Sequence, residues 1–197
     1  MEKLQSLNAL LVQQKKEWGE ILTGFETKNK YAILDTSGRQ IYWAAEESSF
    51  LSRWLLRTLR PFTIHILSSQ GSPILKLTRP FRFFLHELNI SDSRGRLLGM
   101  IKQKFSLLSR KFIIKDFTGR EIYKIHGPLL HPWTFRILKN GQEVGKISKK
   151  WSGLGKELFT DADNFNIVFP PGIDVNQKSI LLGALFLIDM LFFEKSK

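Results

Sequence analysis

The chain has 197 residues, 43% of them hydrophobic, and a formal net charge of +12. That length buries a sizeable core, and that charge points to anionic partners: acidic lipid surfaces, nucleic acid or acidic proteins. The absence of cysteine excludes disulfides, thiol catalysis and cysteine-ligated metals, and suits a reducing compartment.

Residues 1–197 are expected to form a single domain. Met1 to Lys16 lacks the basic start, apolar run and small-residue exit of a secretory signal. Met1 to Asn8 reads as a frayed lead-in, and Leu10 to Lys15 alternates weakly, as an edge strand does. Trp18 to Phe25 mixes apolar and acidic residues without a clear period. Asn29 to Leu34 is a strand.

From there a glycine-centred turn recurs at Gly38, Gly71, Gly95, Gly119 and Gly141. Each is flanked by short runs of Ile, Val, Tyr, Phe and Thr, the residues that favour strands. Asn140-Gly141 is a strong hairpin signal by itself. Five hairpins supply ten strands and the flanking segments two more. The expectation is an all-antiparallel β protein, sandwich or closed barrel.

Two stretches depart from this rhythm. Read as a helix, Phe50 to Arg60 puts Arg53, Arg57 and Arg60 on one face and Leu51, Leu55 and Leu59 on another, with Trp54 beside them. Such a helix either lies in a membrane interface with its arginines on phosphates or plugs the end of the barrel. Arg79-Pro-Phe-Arg-Phe-Phe-Leu-His86 interleaves Arg79 and Arg82 with Phe81, Phe83 and Phe84. It is either a central strand, its side chains alternating between faces, or an aromatic and basic membrane contact.

The chain closes on Val175 to Phe193, which Asp174 caps and in which Gln177 stands at the capping-box position. From Ile180 onward it is apolar on every side except at Asp189. A helix of that kind is buried, in a bilayer or in protein. The run Ile180 to Ile188 is short of the roughly 20 residues that span a membrane. Extending it places Asp189 in hydrocarbon, at roughly 2.5–3.5 kcal/mol. A core helix filling the barrel, with Asp189 either taking hydrogen bonds from barrel groups or protonated, is the better reading; a short membrane anchor is the other.

No chemistry-bearing constellation stands out. His65, His86, His126 and His131 lack metal-ligand spacing, and Gly127-Pro128 between the last two suggests a turn. Gly153-Leu-Gly155-Lys156 is too short for a phosphate loop. There is no nucleophile elbow, paired-carboxylate signature or dinucleotide fingerprint, so an enzyme is not expected.

Several islands carry a resemblance: Lys146-Ile-Ser-Lys-Lys-Trp-Ser-Gly153, Phe159-Thr-Asp-Ala-Asp-Asn-Phe165 and Leu182 to Glu194, with Thr23 to Tyr31, Ala44 to Ser48, Arg60 to Thr63 and Ile125 to Pro128 upstream. In this order they resemble the phospholipid scramblase family over nearly the whole chain. The resemblance implies a tubby-like fold, a twelve-stranded antiparallel barrel enclosing a hydrophobic C-terminal helix. It also implies association with anionic phospholipid membranes at the cytoplasmic face of the plasma membrane, and calcium-dependent movement of phospholipid between leaflets. The competing reading is a soluble tubby-like module that contacts nucleic acid or protein. The lipid-contact candidates are Arg53, Trp54, Arg57, Arg60, Arg79, Arg82, Phe83 and Phe84. The family's calcium segment falls on Asp161 to Gly172, where Asp161, Asp163 and the Phe165 carbonyl would be the ligands. With Gly172 at the closing position, such a site binds weakly, at roughly millimolar. Alternatively, Phe165, Ile167 and Phe169 are inward strand residues. Vertebrate members also carry a palmitoylated, cysteine-rich stretch near positions 81–86; here Phe83, Phe84 and Leu85 would meet lipid directly.

Overall fold

The computed structural model describes residues 2–15, 27–47, 61–149 and 164–193. Trp18 to Phe25, the Phe50 to Arg60 stretch, Asp161 and Asp163 lie outside them. The described residues form twelve strands: β1 (Ala9–Gln14), β2 (Thr27–Leu34), β3 (Gln40–Glu47), β4 (Phe62–Ser68), β5 (Pro73–Arg79), β6 (Glu87–Asp92), β7 (Leu97–Lys104), β8 (Ser109–Asp116), β9 (Glu121–Pro128), β10 (Thr134–Lys139), β11 (Gln142–Ser148) and β12 (Asn164–Val168). They close into one antiparallel barrel in which chain neighbours are also sheet neighbours, and β1 pairs with both β2 and β12. Closure leaves no edge, so Leu10 to Lys15 belongs to an internal strand and not the expected edge strand.

All five turn glycines have φ between 80° and 86°, the left-handed region that favours glycine. Three of the turns repeat one device: Asp35, Asp92 and Asp116 each accept from the arginine Nε four residues on, at 3.1, 3.1 and 3.2 Å. The Ser37 hydroxyl, with the Ser37 and Arg39 amides, holds Asp35 below the usual carboxylate range against the opposing effect of burial. These hairpins all lie at one end of the barrel. Because successive strands reverse direction, the connections between them emerge at the other end, called here the loop end.

Inside the barrel runs α2 (Val175–Phe192), with Lys178 through Met190 buried. Its length and mean hydropathy of 1.4 would suffice to cross a membrane, but 72% of it is buried by its own barrel. The sheet approaches the helix closely at two glycines. A Cβ on Gly183 would lie 2.8 Å from Ile90 Cγ1, and one on Gly99 would lie 2.4 Å from the Lys115 carbonyl and 2.5 Å from Ile180 Cδ1.

Asp174 caps α2, accepting from the Gln177 amide at 2.8 Å. The Gln177 side chain reaches back to the cap through Nε2, which donates to Asp174 Oδ2 at 3.4 Å, while its Oε1 accepts from the Tyr123 hydroxyl at 2.7 Å. Deeper in, Asp189 Oδ2 accepts from the Tyr31 hydroxyl at 2.7 Å, which supplies a donor to a carboxylate that would be costly in hydrocarbon.

The lead-in is not frayed. It forms α1 (Glu2–Gln5), buries Leu4, and closes the hairpin end. Lys178 Nζ donates to the carbonyls of Leu4, Gln5 and Leu7 at 3.2, 2.6 and 2.8 Å, which meets all three donors of a buried ammonium. Gly127-Pro128 ends β9, and the turn expected between His126 and His131 follows directly, closed by the His131 amide donating to the Pro128 carbonyl at 3.2 Å. Gly127 is required because a Cβ there would sit 2.5 Å from the Phe135 ring.

Candidate functional site

Sequence reasoning singled out Arg79 to His86 as strand or membrane contact, and the structure divides the segment. β5 stops at Arg79, and Pro80 to His86 is a loop in which Leu85 adopts a φ of 52°. Pro80 has no amide hydrogen to continue the ladder, so the expected alternation of faces does not arise.

Arg79 is not a surface contact. It is 2% exposed, donates from Nη2 to His86 Nδ1 at 2.7 Å, and lies 5.6 Å from the Phe62 ring centroid. The arginine is always a donor, so the His86 ring is neutral, with its proton on Nε2. Burial, and then the Arg79 charge, push His86 down to about 4. The backbone carbonyl of His86 accepts from the Gln103 amide at 2.8 Å. The base of the loop is therefore pinned while its tip projects.

This pin is sensitive to acid. The unfolded chain protonates His86 near 6.5, so its contribution to stability is full above that pH and is lost as pH falls toward 4. Wild type is expected to lose about 1–2 kcal/mol more than His86→Gln over this window, after discounting for half-burial. Urea unfolding of both proteins at pH 7.5, 5.5 and 4 measures the difference; parallel curves would rule it out.

The tip carries Phe83 and Phe84, 68% and 85% exposed, with Phe81 and Leu85 beside them. Arg82 also faces solvent, and its guanidinium shares Glu87 Oε2 with Lys102 at 3.2 and 3.3 Å. The two loops that follow at the same end were not recognised from sequence. The β7–β8 loop exposes Phe105, Leu107 and Leu108, and the β9–β10 loop exposes Leu129, Leu130 and Trp133. Eleven large apolar side chains are exposed among the described residues, and ten of them lie on these three consecutive loops. Singly scattered apolar residues are ordinary on a surface, whereas one contiguous patch marks an interaction site.

Beneath the patch aromatic rings pack together. Phe193, just past α2, stacks on Trp133 at 5.4 Å, and Phe192 stacks on Phe135 at 5.9 Å. Arg110 lies over Phe192 at 4.3 Å and donates from Nη1 to the Pro132 carbonyl at 3.1 Å, tying the start of β8 to the β9–β10 loop. Lys149 Nζ lies 4.7 Å from the Phe193 ring. Between the first two loops opens a groove of about 490 Å³, walled by Phe83, Phe84, Leu85, Phe105 and Leu107, with Lys104 and Arg110 among its lining and no carboxylate among the described residues that line it.

Phe165, the remaining candidate ligand, lies in β12 opposite Val12 of β1. Its side chain is buried against Phe193 at 5.4 Å. Ile167 and Phe169 are buried as well. From Asn164 to Val168 the segment is strand paired with β1, and from Asn166 to Val168 it is paired with β11 as well. No group of three acidic or histidine side chains that could hold a metal occurs among the described residues. Arg53, Trp54, Arg57 and Arg60 lie outside those residues.

The chain belongs to the scramblase family: residues 1–195 match the family model described as Scramblase. It is similar to phospholipid scramblase 2 of Bos taurus, 38% identical over all of this chain and 72% of that protein. It is similar also to phospholipid scramblase 1 of Mus musculus (38%) and of Homo sapiens (37%), of which it spans 64% and 66% of the length. A protein of Arabidopsis thaliana solved by X-ray crystallography shares the fold, with a TM-score of 0.52, 14% identity and 95% of both chains covered.

Proposed function

We propose that this scramblase-family protein docks on anionic phospholipid bilayers, at the cytoplasmic face of the membrane, through the three apolar loops, and that it acts in the transbilayer movement of phospholipid. The single observation that carries the reading is the concentration of exposed apolar side chains at one end of the barrel, with Arg82, Lys104 and Arg110 among them. Apolar groups enter the acyl boundary while cations remain with the headgroups. Because α2 is enclosed by strands, the loop end and not the helix is the part that meets lipid. The lack of cysteine suits the reducing side of the membrane.

Flotation with vesicles of phosphatidylcholine alone and with added phosphatidylserine tests the docking. Binding that rises with the anionic lipid is expected, and no flotation on either would end the reading. A dithionite assay of fluorescent lipid in the same vesicles, with and without calcium, tests transport. Accelerated loss of inner-leaflet fluorescence is expected; unchanged loss with retained flotation would confine the protein to docking.

A further inference from the structure

Deepening the docking reading, and resting on it for the source of the ligand, we infer that the groove between the β5–β6 and β7–β8 loops holds one anionic phospholipid, with an acyl chain between its apolar walls and the phosphate at Lys104 and Arg110. The walls come from both loops: Phe83 and Phe84 from the first, Phe105 and Leu107 from the second. The loops are tied at their base, where the Gln103 amide donates to the His86 carbonyl at 2.8 Å and Gln103 Oε1 accepts from the His86 amide at 3.3 Å. At about 490 Å³ the space falls within the ~300–1,000 Å³ of sites that take one small molecule.

The apolar part of the lining calls for a chain. All four wall side chains are at least 68% exposed, so no described part of the protein covers them. Water between such walls finds few hydrogen-bond partners, whereas an acyl chain meets the apolar contact it needs.

The charged part of the lining calls for an anion. Neither Lys104 nor Arg110 has a carboxylate partner among the described residues. A guanidinium carries five N–H donors. Arg110 uses Nη1 on the Pro132 carbonyl and lies over Phe192, which leaves donors for the paired oxygens of a phosphate. Burial pushes the Arg110 guanidinium down from its ordinary value, and an anion beside it would offset that. A neutral acylglycerol would leave the cations unmatched, and a bare phosphate would leave the walls bare. A second copy of the chain would bring its own charge of +12 to a cationic groove. Phospholipid supplies both parts, and it is what the loop end meets in the docking reading.

Isothermal titration with myristoyl lysophosphatidate, below its micellar concentration and without vesicles, tests the site. Saturable binding of one lipid per chain is expected. Glycerol 3-phosphate and monomyristoylglycerol, the two halves of the probe, should each bind at least about tenfold more weakly. Lys104→Gln should weaken lysophosphatidate binding about tenfold, the worth of one charge-assisted hydrogen bond. Phe84→Ser/Leu107→Ser should weaken it about a hundredfold, at about tenfold per apolar side chain. Leu108→Ser/Leu130→Ser removes exposed side chains of the same end that do not line the groove. That pair should lower vesicle flotation yet change lysophosphatidate binding less than about twofold. All five positions are exposed, and an unchanged thermal midpoint keeps folding out of the comparison. No saturable binding by the wild-type chain overturns the groove, and flotation of the same protein leaves docking standing. Saturable binding without flotation keeps the groove and ends docking. An equal loss from the Leu108, Leu130 pair, or equal affinity for either half of the probe, overturns the assignment. A wild-type dimer in sedimentation that Phe84→Ser/Leu107→Ser dissociates and lysophosphatidate does not would give the groove to a second copy instead.

Discussion

Replacing Phe186 with alanine is expected to cost about 3–5 kcal/mol, the range for emptying a fully enclosed aromatic site. Phe186 is completely buried at the middle of α2, with its ring edge-on to Tyr31 at 5.2 Å. Tyr31 in turn holds Asp189 through its hydroxyl, so the cavity also loosens the partner of the buried carboxylate. Against a typical stability of about 5–15 kcal/mol, the variant should sit near the edge of folding, with a urea midpoint far below wild type by far-UV circular dichroism. Gly183→Val should be comparably harmful for the opposite reason: its Cβ would press on Ile90, a buried strand residue that has no room to yield. Both effects are expected in water without lipid. A Phe186→Ala protein within 1 kcal/mol of wild type would mean that the helix is not the barrel's core, and would return it to consideration as a membrane span.

The enclosed helix and the hairpins were legible because each rests on local chemistry. A glycine at φ near +80° is written directly into the turn. A segment apolar on every side, interrupted at Asp189, says that it is surrounded. What was misread depended on partners far along the chain. Met1 to Asn8 looked unattached because Lys178, which binds its carbonyls, lies more than 170 residues away. The Phe81 to Leu85 loop looked like strand because its composition suits one, while Pro80 and the left-handed Leu85 decide otherwise. Arg79 looked like a surface cation; only the fold brings His86 and Phe62 around it.

The exposed apolar patch was legible in the same partial way. Phe83 and Phe84 could be picked out by the arginines around them, but Phe105, Leu107, Leu108, Leu129 and Leu130 sit in short apolar runs indistinguishable from core strand. Their exposure follows from strand direction: alternate connections emerge at one end, and these three loops are consecutive there.

Phe83→Ser/Phe84→Ser is expected to lower partition onto phosphatidylserine-containing vesicles roughly a hundredfold, from about 3 kcal/mol of apolar burial lost when both rings no longer enter the bilayer. Because both side chains already face solvent, their loss should leave folding stability within about 0.5 kcal/mol, so the thermal midpoint serves as the control for a specific effect. Leu107→Ser/Leu108→Ser, on the next loop, should act in the same direction, and the two pairs should combine to less than additive loss if the loops enter as one patch. Phe117, equally exposed but at the hairpin end, separates position from hydrophobicity: Phe117→Ser should leave binding unchanged. Wild-type flotation by the Phe83, Phe84 variant, or an equal loss from Phe117→Ser, would show that the loop end is not what the membrane meets. If instead the loop variants alone fail to bind and also fail to move lipid, then transport proceeds through a barrel that touches the bilayer from one side, its apolar helix still enclosed.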